Sequence, residues 1–261
     1  MRHLSDTNLR SFRGSLIWTI LFLGVFPYPH TLHAQYRKWS VGAAVGYNLL
    51  NLDAVDEKNR ADVEGRNEQG YLLGQLGSVK RSPFYSAGVS YRYDREFGFS
   101  LSASYWSKTV SSSYSGPNVG MQLERGVGST DLVFGVSYYP PARPYFLDWY
   151  IQTNLGVAFA RASTKTVGTQ MVKDGSVLIP VTVIDTDAKY EKSKLTVGVL
   201  VGADVPLAGR FSLKAEAGYR FAQVGTMDGD VTQLGLHSVQ TSTIEFDYSG
   251  FQVSAGVRLQ L

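Results

Sequence analysis

FSLKAEAGYRF, Phe211 to Phe221, is the stretch that decides the fold. Its alternate residues Phe211, Leu213, Ala215, Ala217, Tyr219 and Phe221 are apolar or aromatic. The residues between them, Ser212, Lys214, Glu216, Gly218 and Arg220, are small or charged. Strict period-two alternation marks a β-strand whose two faces meet different surroundings. Aromatics stand at both ends of the apolar face, and three charges sit on the other.

Working outward, the same plan recurs. Trp39 to Leu49 sets Trp39, Val41, Ala43, Val45, Tyr47 and Leu49 against Ser40, Gly42, Ala44, Gly46 and Asn48. Alternating strands are also predicted over residues 84–94, 97–109, 130–139, 147–162, 195–205 and 244–261. The phase of the last one slips near Ser249-Gly250, which predicts a bulge. Short connections, around Arg95-Glu96, Pro140 to Pro144 and Pro206 to Arg210, alternate with long ones. The long ones cover residues 51–82, 111–128, 163–193 and 223–243 and are predicted as loops. Residues 177–184 (VLIPVTVI) leave open a further hairpin within the third.

Eight strands joined by alternating long and short connections predict an all-β, antiparallel, up-and-down transmembrane barrel with long outer loops and short periplasmic turns. The competing fold is a soluble eight-stranded barrel with its apolar face inward. Aromatic spacing favours the membrane. Trp39 and Tyr47, Tyr85 and Tyr93, Phe97 and Tyr105, and Phe211 and Tyr219 are each eight residues apart. Eight residues at ~3.3 Å, tilted by ~40°, rise roughly 20 Å, close to the lipid-facing band of such barrels. With Tyr138, Trp149 and Phe159 these residues form the expected aromatic girdles. Lipid demands closure, because an unpaired edge would leave backbone N–H and C=O groups without partners.

The opposite face is mostly Gly, Ser, Ala and Thr with scattered charges. Arg92, Asp94, Lys108, Asp131, Asp148, Asp204, Lys214, Glu216, Arg220 and Arg258 are balanced in sign. Charges inside a narrow barrel persist only when paired and hydrogen-bonded, so these ten are expected to form a polar lumen network.

The N-terminus reads as an export signal. Arg2, Arg10 and Arg13 precede the short apolar run Ser15 to Phe26, then Pro27, Pro29 and Leu32-His33-Ala34. This order predicts cleavage between Ala34 and Gln35, leaving residues 35–261 as a single barrel domain. The apolar run is too short to span a bilayer as a helix. The whole chain has 25 Lys and Arg and 22 Asp and Glu. Three of the former and one of the latter lie in residues 1–34, so the remainder carries a net charge of +1. No basic patch points to nucleic acid. With no cysteine, no disulfide framework is available.

WSVGAAVGYN (residues 39–48), FSLKAEAGYRF and the terminal GFQVSAGVRLQL (residues 250–261) resemble the small outer-membrane barrels of the OmpA/OmpX type, and in particular the PorT-like outer membrane protein β-barrel domain. The resemblance covers essentially residues 36–261 and implies a location in the bacterial outer membrane. It implies outer-membrane lipid and lipopolysaccharide as surroundings, and assembly through the C-terminal strand by the barrel-assembly machinery. That family's strand usually ends in an aromatic residue, where this chain has Leu261.

Function is less legible. The leading expectation is a non-enzymatic envelope protein acting structurally or through its loops, without an open pore. The alternatives are a narrow channel or carrier, and a lipid-modifying enzyme. Barrel enzymes need a general base near a nucleophile or activated water. After Ala34 the only histidine is His237, in the fourth long connection, and no acid stands at a telling spacing from it. Asp185-Thr186-Asp187 and Asp228-Gly229-Asp230 complete no calcium-loop pattern and are read as turn residues. No metal or cofactor site is expected. The sequence does not name an extracellular ligand.

Overall fold

The computed structural model describes residues 39–141, 144, 146–174, 177–242 and 244–261. The expected cleavage point at Ala34 and Gln35 lies outside the described residues. Eight strands form a ring: β1 (Trp39–Leu50), β2 (Arg81–Arg92), β3 (Phe97–Ser115), β4 (Val119–Tyr138), β5 (Asp148–Asp174), β6 (Val177–Pro206), β7 (Phe211–Phe221) and, last in the chain, Gly250–Gln260. Every neighbouring pair is antiparallel, and the last strand joins both the seventh and the first. Leu261 N donates to Trp39 O at 2.9 Å, which carries the seam to its lower end. The ring therefore has no free edge.

The side-chain alternation holds in three dimensions. In β4, Leu132 is 50% exposed on the outside, while the adjacent Asp131 is 1% exposed inside. Val45, Val89, Leu101, Phe134, Leu155, Val199 and Val253 are likewise outward and exposed. A continuous apolar belt of this size cannot face water on a soluble monomer. It rules out the soluble barrel, which would have its apolar face inward.

The long connections are more structured than expected. Residues 51–82 are not a mere loop. They contain helix α1 (Asp53–Glu68), with Val55, Asn59 and Val63 buried along one stripe. Residues 111–128 and 163–193 are largely strand: β3 and β4 continue to a tight tip, and β5 and β6 project as a ribbon beyond the aromatic band. The fourth connection holds β8 (Gln223–Gly225), β9 (Asp228–Gln233) and β10 (Leu236–Thr241). β9 pairs with β6 over Thr186 to Glu191, where β7 has already ended. The phase slip near Ser249-Gly250 is not a bulge within one strand. β11 (Phe246–Asp247) pairs with β8 in a separate small sheet, and Tyr248 turns fully inward before β12 (Gly250–Gln260) begins.

Candidate functional site: the lumen and its two closures

The interior is layered. At its centre is a cavity of about 110 Å³ lined by Ser86, Ser90, Ser100, Ser102, Ser104, Lys214, Glu216, Ser254 and neighbours. It has room for several water molecules. Small side chains dominate because an eight-stranded ring leaves space for little else. Glycine is required where a neighbour fills the space. A Cβ at Gly202 would overlap the Tyr150 ring, and one at Gly46 would overlap the Phe84 ring.

Below the cavity lies a polar and aromatic layer. Arg92 Nη1 donates to Asp148 Oδ2 at 2.5 Å, and its guanidinium sits 3.9 Å from the centre of the Tyr139 ring. Tyr139 packs on Tyr150 with ring centres 5.2 Å apart, and Leu200 completes the cluster. Arg258 pairs with Asp204. Tyr150 Oη donates to Glu216 Oε1 at 2.8 Å, and Lys214 Nζ lies 2.7 Å from the same oxygen. Ser137 Oγ donates to Gln152, which donates on to Asn154 at 2.6 Å.

Above the cavity Arg220 pairs with Asp131 and also donates to the Tyr248 carbonyl at 2.9 Å. Asp131 accepts from Ser129 Oγ at 2.5 Å and Ser104 Oγ at 3.2 Å. Both members of the pair are buried, so each needs the other plus these extra bonds to offset lost hydration. Over this latch sits an apolar plug. Trp106 meets Tyr248 edge-on with ring centres 5.2 Å apart. Leu52, Val55, Val79, Phe84, Val110, Val127, Val224, Met227 and Phe246 fill the mouth around them. Helix α1 is held over this end by Arg125, whose Nη2 donates to Asp62 at 2.8 Å, and by Asp56, which accepts from Ser78 Oγ at 2.5 Å. A smaller cluster of Val63, Leu73, Met121 and Leu123 packs beside it.

Eight of the ten charges expected in the lumen therefore meet as four pairs: Arg92–Asp148, Asp131–Arg220, Asp204–Arg258 and Lys214–Glu216. Two do not. Asp94 lies in the exposed turn after β2, where its carboxylate accepts from Glu96 N and Phe97 N, each at 2.7 Å. Turn geometry, rather than strand alternation, sets its direction there. Lys108 is half-buried near the outer end of β3 and joins none of the four pairs. The girdle residues take two levels. Trp39, Tyr93, Phe97, Tyr138, Trp149 and Phe211 stand towards the short turns; Tyr47, Tyr85, Tyr105, Phe159 and Tyr219 stand towards the outer side. Cross-strand contacts link them: Phe97 to Tyr138 at 5.4 Å and Tyr219 to Phe251 at 4.9 Å between ring centres.

The plug is what sequence reasoning missed. Phe84 and Trp106 carry its signal, as bulky apolar residues on a face otherwise small and polar. His237 lies on the exposed β10, and its Nδ1 meets the Thr232 hydroxyl at 2.8 Å. The two Asp-x-Asp motifs are not turns: Asp185–Asp187 lies in β6 and Asp228–Asp230 in β9, paired with one another's strands.

A closed ring of eight antiparallel strands, apolar outside and polar within, with β1 starting and β12 ending on the side of the short turns, defines a transmembrane β-barrel of the outer-membrane type. The chain is similar, at low identity, to solved structures of bacterial outer-membrane proteins. A major outer membrane protein from Thermus thermophilus is 12% identical, with 86% of this chain and 98% of that one covered and a TM-score of 0.47. Ail, the attachment invasion locus protein of Yersinia pestis, is 11% identical, covering 85% and 98% with a TM-score of 0.40. The outer membrane protease OmpT from Escherichia coli is 7% identical, covering 89% and 99% with a TM-score of 0.32. No protein-family model matches the chain, and no curated protein matches it.

Proposed function

We propose that this outer-membrane barrel is a non-enzymatic envelope protein that works through its outer strands and not through a pore. The observation that supports this is closure of the lumen at both ends. Ions would have to cross an apolar plug centred on Trp106 and Tyr248, and then a layer in which Arg92, Tyr139, Tyr150 and Arg258 fill the lower end. Desolvating an ion against such a plug is costly, because the apolar wall supplies no replacement for water. Export by an N-terminal signal and assembly through β12 belong to the same proposal.

Planar-bilayer recording of the refolded barrel tests it. No stable openings are expected. Discrete, reproducible conductance steps would refute the closed lumen and favour the narrow channel.

A further inference from the structure

The barrel wall has a notch beside β6. β7 accompanies β6 as far as Phe221, which opposes Val197, and β9 takes its place only from Asp228, which opposes Glu191. Between these two pairs, Lys192 to Thr196 oppose no strand on that side. The plug is the cause. After Phe221 the chain follows β11 inward, pairing with it as β8, and Ala222, Val224 and Met227 are buried there. Along a strand, alternate residues direct their N–H and C=O to the same side. Asp185 O accepts from Leu234 N at 2.8 Å on the side away from β5, so Ser193 and Leu195 face the notch. Among the described residues, their backbone groups meet no partner across it.

The level and the charge of the notch identify its occupant. On β6 the outer girdle falls between Ser193, which opposes Phe159, and Val199, which opposes Tyr219. The notch therefore opens at the lipid–water boundary of the barrel's own bilayer. Hydrocarbon cannot satisfy the free N–H and C=O groups, so a polar group has to enter. The two sides of the notch, residues 192–196 and 221–226, carry Lys192 and Lys194 and no carboxylate. Lys192 Nζ reaches across to the Thr226 carbonyl at 2.6 Å, which uses one of its three donors. Lys194 opposes the fully buried Ala158 on the lumen-facing side of β6, yet it is itself exposed. Neither ammonium pairs with a carboxylate among the described residues. At the upper end Asp228 accepts from the Thr241 hydroxyl at 2.5 Å. Ammonium and backbone N–H donors call for an anion, and phosphate oxygens are strong acceptors for both. The two carbonyls call for hydroxyl donors as well.

We propose that the notch binds the headgroup of a phosphorylated glycolipid in the outer leaflet. Lys192 and Lys194 hold the phosphate, and the sugar hydroxyls serve the carbonyls of Ser193 and Leu195. The site lies on the wall, so it stands apart from the question of whether the lumen conducts.

Native mass spectrometry of the full-length barrel released from detergent micelles tests this, with bisphosphorylated lipid A as the probe. The barrel should bind it more tightly than the same lipid stripped of its phosphates. Lys194→Gln should weaken binding about fivefold, and Lys192→Gln with Lys194→Gln about 30-fold. Lys194 is exposed, so its variant should keep the gel shift between unheated and boiled samples. Lys189→Gln, also exposed on β6 but opposite Asp230, should bind as the wild type does. Equal binding of the stripped lipid would overturn the proposal, as would unchanged binding by the Lys194 variant. A loss as large from Lys189→Gln would reduce the effect to diffuse surface charge and refute the site. Inorganic phosphate bound as tightly as the lipid would assign the notch to a free anion instead. Conductance enters none of these readouts, so failure here leaves the closed lumen standing, and an open pore would leave the notch standing.

Discussion

Removing Asp131 should destabilise the barrel more than removing its partner. Asp131 and Arg220 are both buried, and Arg220 keeps a single further bond, to the Tyr248 carbonyl at 2.9 Å. Asp131→Leu leaves that guanidinium without a counter-charge inside a low-dielectric lumen, a loss of about 3–5 kcal/mol. Arg220→Leu is milder. The carboxylate retains the hydroxyls of Ser104 and Ser129, so a cost of about 1–3 kcal/mol is expected. The double variant removes both charges and should cost about as much as Arg220→Leu alone, because an apolar pair replaces a buried ion pair with little net loss. Equilibrium unfolding by urea from lipid vesicles, followed by tryptophan emission, measures all three. Trp106 lies against Tyr248 and so reports on the latch directly. If the two single losses add to within about 0.5 kcal/mol, the pair is not coupled and the closure above the cavity is held by something else.

Three further outcomes follow. Gly202→Ala should cost about 1–3 kcal/mol through overpacking against the Tyr150 ring, seen as a lower urea midpoint; an unchanged midpoint would mean the lower layer is loosely packed. Trp106→Ala should cost about 3–5 kcal/mol by hollowing the plug, read by circular dichroism during thermal unfolding; a loss below about 1 kcal/mol would show the plug contributes little. His237→Ala should leave the lipid A composition of producing cells unchanged, since this side chain lies exposed against Thr232; an altered lipid profile would restore the lipid-modifying enzyme.

The parts of the fold that touch lipid were the most legible in the sequence. β7 runs from Phe211 to Phe221 as its alternation predicts, since lipid on one side and a crowded lumen on the other tolerate no slip of one residue. Beyond the girdles that constraint lapses. Ser111 to Ser113 and Thr164 to Thr169 continue their strands with little apolar content, because water accepts polar side chains on the outer face there. Helix α1 was hidden by its own charges. Val55, Asn59 and Val63, spaced by four, carried the helical period, but nine charged residues between Asp53 and Glu68 read as a solvated loop. The lumen pairs were legible only as a set. Alternation gives the face of Asp131 and Arg220, yet they are 89 residues apart on strands that are not neighbours, and no local pattern encodes that meeting. Asp94 failed for the opposite reason, since the turn after β2 overrides the strand's period.

The most direct measurement of a lipid-facing exterior is an arginine scan down the outside of β4. Tyr138 and Thr130 stand at the two girdles, with Val136, Phe134 and Leu132 between them. Substituted one at a time and unfolded from vesicles, Phe134→Arg should cost about 2–4 kcal/mol, falling to about 0–1 kcal/mol at Tyr138 and Thr130. A flat profile with every cost below about 1 kcal/mol would mean that this face meets water, and the membrane barrel would be contradicted.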